Sequence, residues 1–465
     1  MLSLSTLLSF TGKKLEPVRL PLIGPLRVNP LNPRYFTNDS GRAIFLTGSH
    51  TWANLVDIGR SDPPRAFDYS AYLDFLTRHN HNFFRLWTWE HSYWPGESLL
   101  NNPADLWLAP LPYSRTGPGL ALDGKPKCDL TKFDTDYFDR LRDRVLRAGQ
   151  RGIYVSIMLF NGFSIERKDG ESNPWRAHPF NTANNINGID GDRDGDGEGT
   201  EVHTLSDPAI TALQEAYVRE VVDTVNDLDN VLFEISNESR PESRDWQYHM
   251  IRFLKQYEIG RLKQHPLGMT VAWPGGDNID LWNSPADWIS PNGDLEPLIP
   301  ADGQKVVLED TDHLCGICGT VSWVWKSFLS GRNPIFMDPY DIIKEFVAAP
   351  PVDIRISTWE PVRRNMGYAL TFANRMDLAR MFPCGELASS GYCLADQKPG
   401  QAAYLAYFPD GTGILELPTK GSFAVEWFCP SNGKVYSGKK STEGQRQFAA
   451  PFRGEAVLYL HKGVC

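Results

Sequence analysis

Two short stretches of the chain place acids and amides where a reaction could use them. In Asn230-Val-Leu-Phe-Glu-Ile-Ser-Asn237-Glu238, a largely apolar run ends in an Asn-Glu pair. An amide beside an acid suits a sugar site, because the amide can hold a hydroxyl next to the bond being broken while the acid gives up its proton. The bland alternative is a helix cap following a strand. In Lys305-Val-Val-Leu-Glu309-Asp310-Thr311-Asp312-His313, three carboxylates compete for one role. Alternation along a strand puts Glu309 on the face opposite Asp310 and Asp312.

Aromatic residues gather near the same strand ends. Trp87, Trp89 and Trp94 follow one β-like run, Trp273 ends another, and Trp282 and Trp288 flank a third. Sugar rings stack their C–H faces on such side chains, although any one tryptophan could equally be core. A separate stretch, Asp190-Gly-Asp192-Arg-Asp194-Gly195-Asp196-Gly-Glu198-Gly-Thr-Glu201, fits the spacing D-x-D-x-D-G-x5-E. Alternating oxygens, a glycine for the sharp turn and a closing glutamate are what a hard cation needs. The flanks are not those of an EF-hand, so the reading is a structural Ca²⁺ loop with ligands Asp190, Asp192, Asp194, Asp196 and Glu201. A solvated acidic turn is the alternative. No organic cofactor is indicated.

These groups need a frame. Eight β-like runs (residues 43–48, 82–89, 152–160, 230–237, 269–273, 288–290, 305–310 and 333–338) alternate with amphipathic stretches such as 68–79, 135–148, 208–225 and 245–262. Asp207-Pro208 supplies a helix start, with Asp as N-cap and Pro in the first turn. The pattern is α/β and predicts a (β/α)8 TIM barrel, with active groups at the carboxyl ends of the strands. No G-x-G-x-x-G follows the first run, which disfavours a dinucleotide fold. After residue 393 short strands recur between turn signals, predicting a small antiparallel β-sandwich over 394–465. The expected division is an N-terminal arm and capping hairpin over 1–42, the catalytic barrel over 43–393, and the sandwich.

The balance of 47 Lys+Arg against 57 Asp+Glu in 465 residues is acidic, which argues against nucleic acid or an anionic membrane as partner. Met1–Phe10 is apolar but lacks a basic start, so it reads as a weak export signal or an ordinary arm. Cys315-x-x-Cys318 has no companion Cys/His pair at zinc spacing, and Cys384 and Cys393 could close a short loop. A secreted or periplasmic location is favoured. The oligomeric state is left open.

The run Phe233-Glu234-Ile-Ser-Asn237-Glu238-Ser resembles the Glu-x-x-Asn-Glu strand of the clan A glycoside hydrolases, the cellulase-like and apiosidase-like (β/α)8 enzymes. Arg85 in Asn-Phe-Phe-Arg-Leu-Trp is similar to that clan's strand-two arginine, and Ser49-His50-Thr51-Trp52 fits a sugar-facing loop. The resemblance implies Glu238 as general acid/base and Asn237 as ligand of the sugar 2-hydroxyl. Arg85, His50, Trp52, Trp87, Trp89, Trp273 and His313 would be substrate-binding. It also implies a nucleophile at the end of strand seven. The Asp-Thr-Asp-His run is similar to those of uncharacterised cellulase-like glycosidases, which points to Asp310 ahead of Asp312 and Glu309. Retention, with a glycosyl-enzyme intermediate, follows from the clan. The expected substrate is a plant- or microbial-type polysaccharide or oligosaccharide, by default a β-glucan. An exo-glycosidase releasing single sugars and a non-catalytic carbohydrate-binding barrel are the alternatives. A metal-dependent amidohydrolase, suggested by His79-x-His81 and Asp338, fails because strands five and six end without histidines.

Overall fold

A computed structural model of the chain describes residues 12–97, 104–168, 172–296, 298–340 and 356–462. The Met1–Phe10 segment lies outside them. Eight parallel strands form one sheet: β1 (Gly48–His50), β2 (Phe83–Leu86), β3 (Tyr154–Asn161), β4 (Val231–Asn237), β5 (Leu267–Thr270), β6 (Trp288–Ser290), β7 (Val306–Asp310) and β8 (Asn333–Met337). Its neighbour order runs β1-β8-β7-β6-β5-β4-β3-β2, and a parallel bridge between Thr51 and Leu86 joins its two ends. Asn82 clips the same seam, accepting from the Thr47 amide at 2.9 Å while its own amide donates to the Thr47 carbonyl at 3.1 Å. The seam needs Gly48, where a Cβ would stand 1.9 Å from the Phe83 carbonyl oxygen. The chain is a TIM barrel followed by a β-rich domain.

Alternation along the strands separates two cores. Phe83, Tyr154, Leu232, Trp288, Val306, Leu308 and Ile335 pack with Leu26, Phe36, Ile44 and Leu46 at the barrel floor. Their strand neighbours Phe84, Val155, Phe233, Ile289 and Val307 belong to the layer under the helices. Those helices include α1 (Tyr69–Arg78), α2 (Thr135–Gly149), α3 (Pro208–Val225) and α4 (Arg244–Ile259). The Asp207 side chain caps α3 with Pro208 in its first turn, as the sequence suggests.

Strand one is a correction. Residues 43 and 44, expected to open it, instead pair with Phe36–Thr37 in a three-stranded antiparallel sheet with Arg27–Val28. The apolar run is long enough for two short strands, and only Gly48 permits the close approach to β2. The longest helix among the described residues, α7 (Ile356–Arg375, after α5 Asn278–Asn283 and α6 Val321–Leu329), is not among the expected elements; Pro361 lies within its span.

The C-terminal strands are antiparallel. Thr412–Cys429 pairs with Ser441–Ala449 along its first half and with Lys434–Ser437 and Ala456–His461 along its second, enclosing a core that includes Tyr404, Phe408, Phe423 and Leu458. Lys13–Lys14 adds an edge strand opposite Lys434 and Val435. Phe428 and Tyr459 join α6 and α7 in a further cluster that seats this domain on the barrel. No described helix is long and apolar enough to cross a membrane.

Candidate active site

One step above the apolar floor, the same alternation delivers charge. Two residues beyond Phe83 comes Arg85; two beyond Leu232, Glu234; two beyond Leu308, Asp310. Arg85 is buried and organises this layer. Its Nε and Nη2 donate to both oxygens of Glu234 at 2.9 and 2.5 Å, Nη2 also to Asn237 Oδ1 at 2.6 Å, and Nη1 to Asp310 and Asp312 at 3.1 and 2.7 Å. Burial alone would favour a neutral guanidinium, but Glu234, Asp310 and Asp312 outweigh it and fix the charge. Asp310 is shielded too. Burial raises its pKa, yet His50, whose Nε2 lies 2.9 Å away, and Arg85 hold the carboxyl well below the usual range.

Above this layer opens a cleft of about 370 Å³. Its walls are Trp52, Trp87, Trp89, Trp94, Phe163 and Trp273, and its floor carries Asn237, Glu238, Asp312 and His313. One donor atom from each of Glu238, Asp312 and His313 lies within 4.8 Å of the other two. The Asn237 side-chain nitrogen is buried and has no partner, so it is a donor available to a guest. His313 Nδ1 meets Ser290 Oγ at 2.7 Å, and burial lowers its pKa, favouring neutral imidazole. Trp273 and Phe163 stack with planes 4° apart. Glu238 has φ +47°, a left-handed conformation uncommon outside glycine.

Three expectations change here. Asp310, preferred as nucleophile, does not line the cleft. It ends β7 and caps the turn Thr311–His313, accepting from the Asp312 amide at 3.1 Å. Because that turn replaces strand alternation, Asp312 swings into the cleft. Glu309 faces outward as alternation requires, paired with Arg332 at 2.5 Å. Arg85 and His50, expected to bind substrate, are not in the cleft lining; Arg85 holds Asp312 and Asp310, and His50 holds Asp310. Elsewhere, His79 pairs with Glu360 at 3.0 Å, His81 meets the Arg363 carbonyl at 2.9 Å, and Asp338 is held by Arg363. These three residues are tied into the fold away from the cleft lining.

The acidic loop turns at Gly195, φ +78°, and wraps Trp175, against which a Cβ at Gly199 would stand 2.2 Å away. Oxygens of Asp192, Asp194 and Glu201 lie within 4.8 Å of one another. Glu201 accepts from the amides of Arg193 and Asp194 at 3.1 Å each, while Asp190 and Asp196 accept from Asp192 and Glu198. Cys315, on the cleft lip after Asp312, forms a disulfide with Cys318; Cys384 and Cys393 are free.

Sequence reasoning missed Glu234 as the clamp on Arg85, and missed Phe163. A glutamate inside the apolar run of β4, in step with Leu232, was a signal for the first. Nothing local marked Phe163, whose role comes from stacking on a distant strand end.

Residues 101–272 match a family model described as Domain of unknown function (DUF6298). No curated protein matches the chain. Among solved structures, a putative glycoside hydrolase from Bacteroides vulgatus superposes with TM-score 0.61 at 13% identity, over 95% of this chain and 82% of that one. A glycoside hydrolase family 5 structure from the same organism gives 0.57 at 12% identity, over 96% and 95%. What the likeness shows is a shared fold, the barrel followed by a β-rich domain.

Proposed function

We propose that the protein is a retaining glycoside hydrolase acting on a plant- or microbial-type β-glucan or related oligosaccharide, with Glu238 as acid/base and Asp312 as nucleophile. The observation that carries this reading is the pair of carboxylates, with oxygens within 4.8 Å of each other, at the floor of a tryptophan-walled cleft. Retaining enzymes hold their carboxyl groups ~5–5.5 Å apart, whereas inverting ones leave ~6.5–9.5 Å for a water. The sugar stacks between the aromatic walls, and Asn237 donates to its 2-hydroxyl. Asp312 attacks the anomeric carbon while Glu238 protonates the departing oxygen. The glycosyl–Asp312 ester is then hydrolysed by a water that Glu238 deprotonates. Arg85 donates to Asp312 and aims it, and His313 stands beside it.

Residues Asp190, Asp192, Asp194, Asp196 and Glu201 hold a structural Ca²⁺ outside the reaction. Their spacing, the left-handed Gly195 and the converging oxygens of Asp192, Asp194 and Glu201 support that assignment. A secreted or periplasmic site fits the Cys315–Cys318 bond.

The test is Glu238→Gln. It is expected to lose about 10²–10⁴-fold on an unactivated oligosaccharide and far less on a dinitrophenyl glycoside, whose leaving group needs no proton. Equal loss on both, in a folded variant, removes Glu238 from the acid role. A product profile on cello-oligosaccharides separates internal cleavage from release of single sugars.

A further inference from the structure

One buried cation beside the cleft has no part in these steps. The Lys168 side chain is 1% exposed. Its ammonium donates to the backbone carbonyl oxygens of both Glu238 and Trp273 and lies 3.2 Å from Glu166. It also stands 5.3 Å from the ring centres of Phe163 and Trp273, the stacked pair of the cleft wall. Burying an ammonium is costly unless its partners are well placed, and apolar packing commonly does as well for stability alone. Two of its three partners here belong to residues that shape the cleft. Glu238 meanwhile holds a left-handed backbone, which persists in a non-glycine residue only where its surroundings over-determine it. Gly162 crowds the same carbonyl from another side: a Cβ there would be 2.3 Å from the Glu238 oxygen.

We propose that Lys168 is a positioning residue for the acid/base, its ammonium tying the Glu238 and Trp273 carbonyls together so that the left-handed Glu238 presents its carboxyl across the cleft from Asp312. The tie joins the ends of β4 and β5, so the acid and the aromatic wall are set by one group. It reaches further: Glu166 also pairs with Arg240, and Arg240 lies 3.5 Å from Glu198 in the acidic loop. Lys168 thus ends a chain of alternating charges that runs from that loop to the acid. The inference rests on the reading of Glu238 as acid/base.

The experiment compares Lys168→Met with Glu238→Gln on two probes, dinitrophenyl β-cellobioside and cellotetraose, with melting curves recorded for each variant. A misplaced acid fails where the leaving group needs a proton, so Lys168→Met is expected to lose about 10²-fold or more in kcat on cellotetraose and less than about tenfold on the aryl glycoside. A lysine that merely supported the fold would lower both rates alike. Equal loss, or none, while Glu238→Gln stays selective, overturns the positioning role alone; a non-selective Glu238→Gln overturns the acid reading beneath it. If Lys168→Met does not fold, Gly162→Ala decides. Its methyl pushes the same carbonyl and is expected to give the same selective loss, and a wild-type ratio of the two rates overturns the proposal.

Discussion

Carboxylates crowd together in two regions of this molecule, and their charge is met by different partners. Under the cleft, Glu234, Asp310 and Asp312 surround Arg85, a cation brought from another strand. In the loop from Asp190 to Glu201, the acids accept backbone amides, and Arg193 turns away to Asp207 at 3.3 Å. Among the described residues none of Asp190, Asp192, Asp194, Asp196 and Glu201 pairs with a lysine or arginine. The first cluster therefore has a side-chain counter-charge in place once the barrel closes, one guanidinium shared by three carboxylates with His50 beside Asp310. The second is left with excess negative charge, which a bound cation would relieve. Acidic density alone does not distinguish the two; the source of the counter-charge does.

Arg85→Met should break the first cluster and give the larger effect. Removing one partner of a buried ion pair leaves uncompensated charge and costs roughly 3–5 kcal/mol. Three carboxylates depend on this guanidinium, so low soluble yield or a much reduced Tm is expected, with activity lost in whatever folds. Near wild-type melting would show that the layer is held by something else.

Chelation probes the second cluster and should give a smaller effect. An ion bound only to the folded state stabilises it by ~2.7 kcal/mol at a concentration 100 times its Kd, which for a chain of 465 residues corresponds to a Tm change of about 3 °C. Melting should fall in excess chelator and recover with Ca²⁺, and substrate binding should weaken with it. Unchanged melting would identify Asp190–Glu201 as a solvated turn. The contrast sharpens if Arg85→Met is insensitive to Ca²⁺.

Much of this frame was legible because strand alternation and helical periodicity are local. Trp288–Ser290 was placed at its observed bounds, and α3 began at its Asp-Pro signal. Glu238 stood out because a polar pair ended a buried run. Other features depended on geometry no local pattern carries. Asp310 and Asp312 share a parity, so alternation could not separate them; the turn capped by Asp310 did. Strand one starts later than the pattern predicts because residues 43–46 are uniformly apolar, and closure is decided by space at Gly48. Lys168 lies in a loop whose importance depends on contacts 70 and 105 residues away.

Asp312, and not its neighbours, is the proposed nucleophile. Trapping with a 2-deoxy-2-fluoro β-glycoside, followed by peptide mapping, tests it most directly. One adduct, on Asp312, is expected, with retention of anomeric configuration in products followed by NMR. An adduct on Asp310 or Glu309, or inversion of the anomeric centre, would contradict it.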